Sequence, residues 1–298
     1  MTVRNDVMLD RPSVREKTRE GRVRLFGLGA AHVVLIAFGL LMVGPLIWLI
    51  FTSIKPPGEI FLWPPTFFPT YPRWANYGEL FGDTLYAAWM RNSTVISVLT
   101  IVGSVLSSTL VGYSFARLRF PGREQLFILC LSTMMLPTIV TLIPSFVMFR
   151  YLGWVDTFAP LIVPAWFGSP FFIFLSRQYF RTIPYEYDEA ARVDGAGSLR
   201  IWWQVLMPMA RPVVGTIIIF AFIWSWNDFL HPLIYLHQES NLTLAVGLRS
   251  LQTLYARGGG VTYIFTGSVL MTFPILLVFF FAQRYFLQGI ALTGLGGR

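Results

Sequence analysis

Residues 181–208 read RTIPYEYDEAARVDGAGSLRIWWQVLMP, an island of charge between two stretches that carry none. On one side, 157–176 lacks Asp, Glu, Lys and Arg; on the other, 212–227 is equally bare. Within the island, Pro184 stands where a helix starts. Glu186, Asp188 and Glu189 fill the first turns, where acids suit the positive end of the helix dipole. The spacing predicts a helix running to about Asp194, ended by Gly195, which is free to take positive φ. Ser198 is expected to cap a second helix from Leu199, and Pro208 to end or kink it. The result is a helix–turn–helix at the face of an apolar body. Ala190 and Ala191 give it a small side that another protein can approach closely. Ile201, Trp202 and Trp203 offer anchors toward the body.

Four more charge-free runs lie outside this region, at 25–54, 92–116, 125–149 and 258–283. A membrane helix needs about 20 mostly apolar residues. The run at 212–227 meets Asp228 and then continues apolar through Tyr235. The reading is an all-α integral membrane protein with six transmembrane helices. Composition agrees: of 298 residues, 55% are hydrophobic and 13% charged, against about 25% charged in a soluble domain. A disordered chain, a disulfide-stapled secreted domain and an ordinary cytosolic enzyme are excluded. The short alternating segments of a transmembrane β-barrel are absent. The first run is too long for a signal peptide and no small-x-small site follows it, so it is expected to remain as an anchor.

The net charge is +8. With the N-terminus cytoplasmic, 17 of the 23 Lys and Arg residues fall on the cytoplasmic side and six outside. Lys and Arg favour the cytoplasmic side of membrane proteins, so both termini are placed there. The excess charge is then an orientation signal, not a nucleic-acid footprint. The expected domains are a basic tail (1–24), a membrane domain (25–288) whose connecting loop occupies 182–208, and a second cytoplasmic tail (289–298).

The first outer loop, Lys55–Tyr86, is rich in Pro and aromatics and is expected to form an ordered, non-helical cap near the interface. Prolines at 45, 137, 144, 160, 164, 170 and 274 interrupt the spans. Such breaks fit plain kinking as well as a polar pathway. The single cysteine, Cys130, reads as a small apolar residue. The histidines at 32, 231 and 237 lack metal-ligand spacing, and no metal or cofactor is expected. Asp228 is the one carboxylate within a span, about 24 Å along it from Pro212 at 1.5 Å per residue. It is a substrate-path candidate with its neighbours Trp224 and Asn227, since amides bond hydroxyls and indoles stack on sugar faces. It fits equally a place at the outer interface or a structural hydrogen bond between helices.

From its residues alone, the 181–208 loop fits an interfacial linker as well as a docking surface. Its order of Glu189-Ala190-Ala191, three residues, Gly195, nine residues, Val205, one residue, Met207-Pro208 resembles the EAA loop of ABC importer permeases. Val and Met replace Ile and Leu at the last apolar positions of that pattern. Lys55 with Glu59-Ile60-Phe61, Pro64-Pro65 and Asn76-Tyr77 is similar to the first outer loop of MalG-like sugar permeases. So are Tyr113–Arg117 with Phe120–Arg123, Asp194-Gly195-Ala196, Trp226–Leu230 and Gln283–Phe286. The ending Gly294–Arg298 departs from the family pattern.

The resemblance implies a coupling helix that docks on an ATP-binding subunit, with Glu189, Ala190, Ala191, Asp194 and Gly195 at the interface. It implies a heterodimer with a second permease, two ATPase subunits, an extracytoplasmic solute-binding protein and a bacterial or archaeal cytoplasmic membrane. Trp63, Trp74 and Trp89 would face the binding protein. The chain itself has no Walker A motif, because neither Lys17 nor Lys55 follows Gly. No catalytic residue is expected, and ATP hydrolysis falls to the partners. The alternatives are an ion-coupled secondary carrier, for which only Asp228 would serve, and a membrane subunit without a path.

Overall fold

The computed structural model describes the backbone of residues 14–254 and 260–294, and side chains at 29, 31–252 and 260–281. Parts of both expected tails, and the side chains of Arg257, Arg284 and Arg298, lie outside the described residues. All regular structure among the described residues is helical. In order, the α-helices are α1 (Val14–Ser53), α2 (Ala75–Asp83), α3 (Tyr86–Arg117), α4 (Arg123–Ser132), α5 (Thr138–Tyr151), α6 (Ala159–Ile162) and α7 (Pro170–Thr182). Then come α8 (Glu186–Val193), α9 (Ser198–Arg200), α10 (Met207–Met209), α11 (Arg211–Trp226), α12 (Leu230–Tyr235), α13 (Leu244–Leu254) and α14 (Val261–Gly294).

Four helical stretches among the described residues are long and apolar enough to cross a membrane: Ala31–Ser53, Tyr86–Arg117, Ala159–Thr182 and Val261–Phe281, the third interrupted at Gly168 and Ser169. Two helix pairs qualify only if a sharp bend is allowed. Arg123–Met135 and Thr138–Tyr151 meet at 98°, and Ser198–Met209 and Arg211–Trp226 at 84°. The first pair corrects the reading of 125–149 as one continuous span. Pro137 has no N–H to give and holds the preceding residue extended, so the chain turns at Leu136. In the second pair, the limb 198–209 belongs to the connecting loop and α11 to the fifth span.

Helix α3 is the central post, packed against α7, α11 and the 3₁₀ segment Val163–Phe167. Glycine permits the closest approaches. A Cβ on Gly112 would sit 2.5 Å from Ser176 Cβ, and one on Gly103 would strike the Trp166 ring. Two apolar cores follow the post. One, around Tyr86, Trp89, Trp226 and Leu251, lies at the outer-loop end; the other, around Tyr113, Phe180, Ile201 and Leu206, lies at the other end. By contrast, the apolar side chains along α1 between Val33 and Met42 are exposed, as are Ile139, Val140 and Ile143 of α5. Exposed apolar surface of this extent suits hydrocarbon or another membrane protein, not water.

The outer loop is ordered as expected, but it is not wholly non-helical, because α2 occupies its second half. Its anchor is Lys55, fully buried, which donates to the Thr66 carbonyl and lies 4.6 Å from the Trp48 ring centre. Glu59 accepts hydrogen bonds from Thr66 Oγ1 and from both the backbone N–H and Oγ1 of Thr70. Asn76 Nδ2 donates to the carbonyls of Ser53 and Lys55, both at 2.9 Å. Burial alone pushes the Glu59 carboxyl up, but the Thr70 N–H, the two hydroxyls and the Lys55 charge together hold it below the ordinary glutamate value.

Candidate functional site

Two places gather the residues picked out in the sequence. The first is the 181–208 loop. Helix α8 forms as the spacing predicts, and Gly195 takes φ 78° to end it. Its N–H then closes on the Arg192 carbonyl, and the Ala196 N–H on that of Ala191. Two local expectations fail. Ser198 is not the cap: it opens α9, and Gly197 precedes it in extended conformation with no side-chain cap. The helix continues into a π-helical stretch, Ile201–Leu206, before α10. Ile201 and Trp202 are buried as anchors, whereas Trp203 is 54% exposed. Adjacent residues on a helix point about 100° apart, so only one of the two indoles can face the core.

Helix α8 has two faces of opposite character. Asp188 is fully buried against the end of α3, with its Oδ2 3.4 Å from Arg117 Nε. Arg117 is itself 6% exposed; it donates to the Ile183 carbonyl at 2.7 Å and lies over the Tyr185 ring. Arg192 covers the same ring and donates to Tyr185 Oη. Among the described residues, neither Asp188 oxygen has a hydrogen-bond partner. Burial raises the Asp188 carboxyl above its ordinary value, opposed by the charges of Arg117 and Arg192. Neither Arg117 nor Asp188 stood out in the sequence as a contact. They are 71 positions apart, and no local pattern joins them.

The other face is open. Glu189, Ala190, Asp194 and Gly195 are exposed, with Tyr187 and Val193 beside them; Val193 is 87% exposed. Ala191 is half-buried against the lower core and faces away from this surface.

The second place is a cavity of about 620 Å³ between α3, the 163–172 segment and α11. Trp224, Asn227 and Asp228 all line it, together with the hydroxyls of Ser93, Thr100, Ser104, Ser169 and Thr243. Trp224 is half exposed and stacks on Phe172, centroids 5.1 Å apart and planes at 17°. Asn227 Nδ2 donates to the Ile223 carbonyl one turn back. Asp228 pairs with His231 Nδ1 at 2.9 Å, a local contact and not a bond between spans. Both residues also line a neighbouring cavity of about 580 Å³ under α5. In the sequence His231 is read only as lacking metal-ligand spacing, and Ser93 and Thr100 are not singled out.

Trp63 and Trp74 are exposed on the outer loop, but Trp89 is 3% exposed and donates to the Glu239 carbonyl. The expectation that Trp89 faces a partner is therefore corrected.

Residues 108–292 match the family model described as binding-protein-dependent transport system inner membrane component. That stretch includes α8, the bends and most of the cavity lining. The chain belongs to this family. It is a permease subunit of a binding-protein-dependent ABC importer, which sets aside the ion-coupled carrier. It is similar to the arabinooligosaccharides transport system permease protein AraQ of Halalkalibacterium halodurans, 34% identical over 92% of this chain and 96% of that protein. It is also similar to the maltodextrin transport system permease protein MdxG of Bacillus subtilis, 34% identical over 74% and 80% of the two chains. A chain in the crystal structure of a bacterial ABC transporter involved in the import of the acidic polysaccharide alginate superposes with a TM-score of 0.78. It is 26% identical, covering 88% of this permease and 97% of that chain.

Proposed function

We propose that this permease forms, with a second related permease, the path for ATP-driven uptake of a sugar. Six spans carry the path, each bent pair contributing one, with both termini and the 181–208 loop cytoplasmic. Of the two ATPase subunits, one docks on the open face of α8 through Glu189, Ala190, Asp194 and Gly195. Ala191 and the buried face hold the helix to the bundle. An extracytoplasmic binding protein delivers solute to the outer loops. The sugar passes the cavity beside Trp224, Asn227 and Asp228, where a stacked indole meets hydroxyls and an amide. ATPase closure moves α8, and the bundle shifts between two states.

The observation that carries this reading is the division of α8. One face is fixed to the α3 end by buried groups, while the other presents small and apolar side chains to solvent. The names of the relatives support a saccharide as cargo. The test is reconstitution in vesicles with the partner permease, ATPases and binding protein, followed by uptake of labelled arabino- and malto-oligosaccharides. Uptake is expected only with ATP and the ATPase subunits present. Uptake without any ATPase subunit overturns the reading.

A further inference from the structure

We infer that the Arg117–Asp188 pair is the joint that makes α8 and α3 move as one body, with both residues in positioning roles. The inference rests on the coupling role proposed for α8.

A helix of eight residues has little stability of its own. To transmit a push it needs an attachment stiffer than the surface it is pushed through. Helix α8 rests on the π-helical stretch 201–206, and its other polar side-chain contact is local, Arg192 to Tyr185 in the turn before it. The long-range polar contact to α8 and to the chain entering it comes from Arg117, in the last turn of α3. Its guanidinium meets Asp188 with Nε and the Ile183 carbonyl with Nη2. It therefore grips both the helix and the chain entering it. The planar guanidinium hydrogen-bonds the carbonyl with one nitrogen while another faces the carboxylate, a geometry that Lys does not reproduce.

Burial makes this attachment all-or-none. Asp188 is fully buried and, among the described residues, has no hydrogen bond to share its charge. Among the described residues its nearest countercharge is Arg117, with Arg192 further off. Separating α8 from α3 would leave a carboxylate unpaired in a low-dielectric site, which is strongly unfavourable. The same arrangement adds nothing to the open face, so docking and transmission are carried by different residues of one helix. Helix α3 then runs to the other core, where Trp89 and Tyr86 hold the outer-loop end. Along the way it lines the cavity with Ser93, Thr100 and Ser104. A displacement of α8 delivered through Arg117 thus reaches the cavity wall along one continuous helix.

The experiment uses the full transporter in vesicles and reads uptake, ATP hydrolysis and ATPase co-purification separately. Asp188→Asn keeps the shape and removes the charge. The expected result is wild-type insertion and co-purification, with solute moved per ATP falling about tenfold, within the usual range of coupling energies. Arg117→Met with Asp188→Leu leaves no charge unpaired, so it reports even where the single variant misfolds. It is expected to assemble normally and to show the same uncoupling. Arg117→Lys should fall between wild type and Asp188→Asn. Wild-type solute per ATP in the double variant overturns the joint, as does parallel loss of uptake, hydrolysis and co-purification in both variants. Failure of the wild-type chain to co-purify any ATPase would instead overturn the coupling role itself.

Discussion

The outer and inner loops both bury charge, and they do so in opposite ways. In the outer loop both buried charges have partners. Glu59 is ringed by the Thr66 and Thr70 donors, Lys55 by a carbonyl and an indole, and Asn76 ties the chain back to the end of α1. In the inner loop Asp188 pairs with Arg117 and, among the described residues, accepts no hydrogen bond. A fully satisfied network fixes a shape. A buried group left short of partners persists where the surroundings over-determine it, and such groups gather where structure has to move. The outer loop is built to stay, and the inner loop to be held and pushed.

The largest effect should come from reversing charge on the inner loop's open face. Glu189→Lys is expected to leave insertion and melting unchanged, because exposed substitutions cost within about 0.5 kcal/mol. Placing the wrong charge in an interface costs several kcal/mol, on the order of 100-fold in affinity. Co-purification of the ATPases should be lost, and retention at the wild-type level would break the assignment of this face. Next comes Trp202→Ala, which empties a buried indole site and should cost about 3–5 kcal/mol. Trp203→Ala next to it should be nearly silent in melting. Equal effects would contradict the orientation of the π-helical stretch.

On the outer loop the expected losses are in stability, not in coupling. Lys55→Met leaves the Thr66 carbonyl without its donor and should lower the melting temperature in detergent by the equivalent of about 1–3 kcal/mol. Asn76→Ala leaves two carbonyls unpaired, at about 1–3 kcal/mol. A fall in solute moved per ATP from either variant, beyond lost protein, would blur the contrast between the loops. The smallest effect is on pH. The Glu59 carboxyl is held below its ordinary value, so its contribution is full above the unfolded glutamate pKa, about 4.3. It is lost as pH falls through the depressed folded value. Fluorescence of Trp63 and Trp74 should report the cap loosening on acidification, and Glu59→Gln should remove the pH dependence.

Much of this was readable in the sequence for a physical reason. Charge cannot enter hydrocarbon cheaply, so charge-free runs mark spans wherever they occur. Gly195 was readable because a helix end at positive φ favours glycine. The 98° turn at Leu136–Pro137 was not, because an apolar run looks the same whether it crosses in one limb or two. That only one of Trp202 and Trp203 faces the core follows from helix geometry; which of the two does so was not marked by any local pattern. Helix α2 hid behind the prolines that precede it. Arg117 and Asp188 each look like ordinary loop charges, and only folding brings them together. In the cavity, Trp224, Asn227 and Asp228 were found as neighbours in the chain, but His231 and the hydroxyls of α3 needed the fold to join them.

Val193, Tyr187 and Leu199 stand exposed around the same turn, and no other part of the described chain covers them. With the docking role proposed for α8, an ATPase would cover that patch. A copy made in excess of its ATPases would then display an oily flag, a mark of the kind that proteases and holding chaperones seize. The surface proposed to join the complex would thereby also meter it, leaving copies without a partner open to removal.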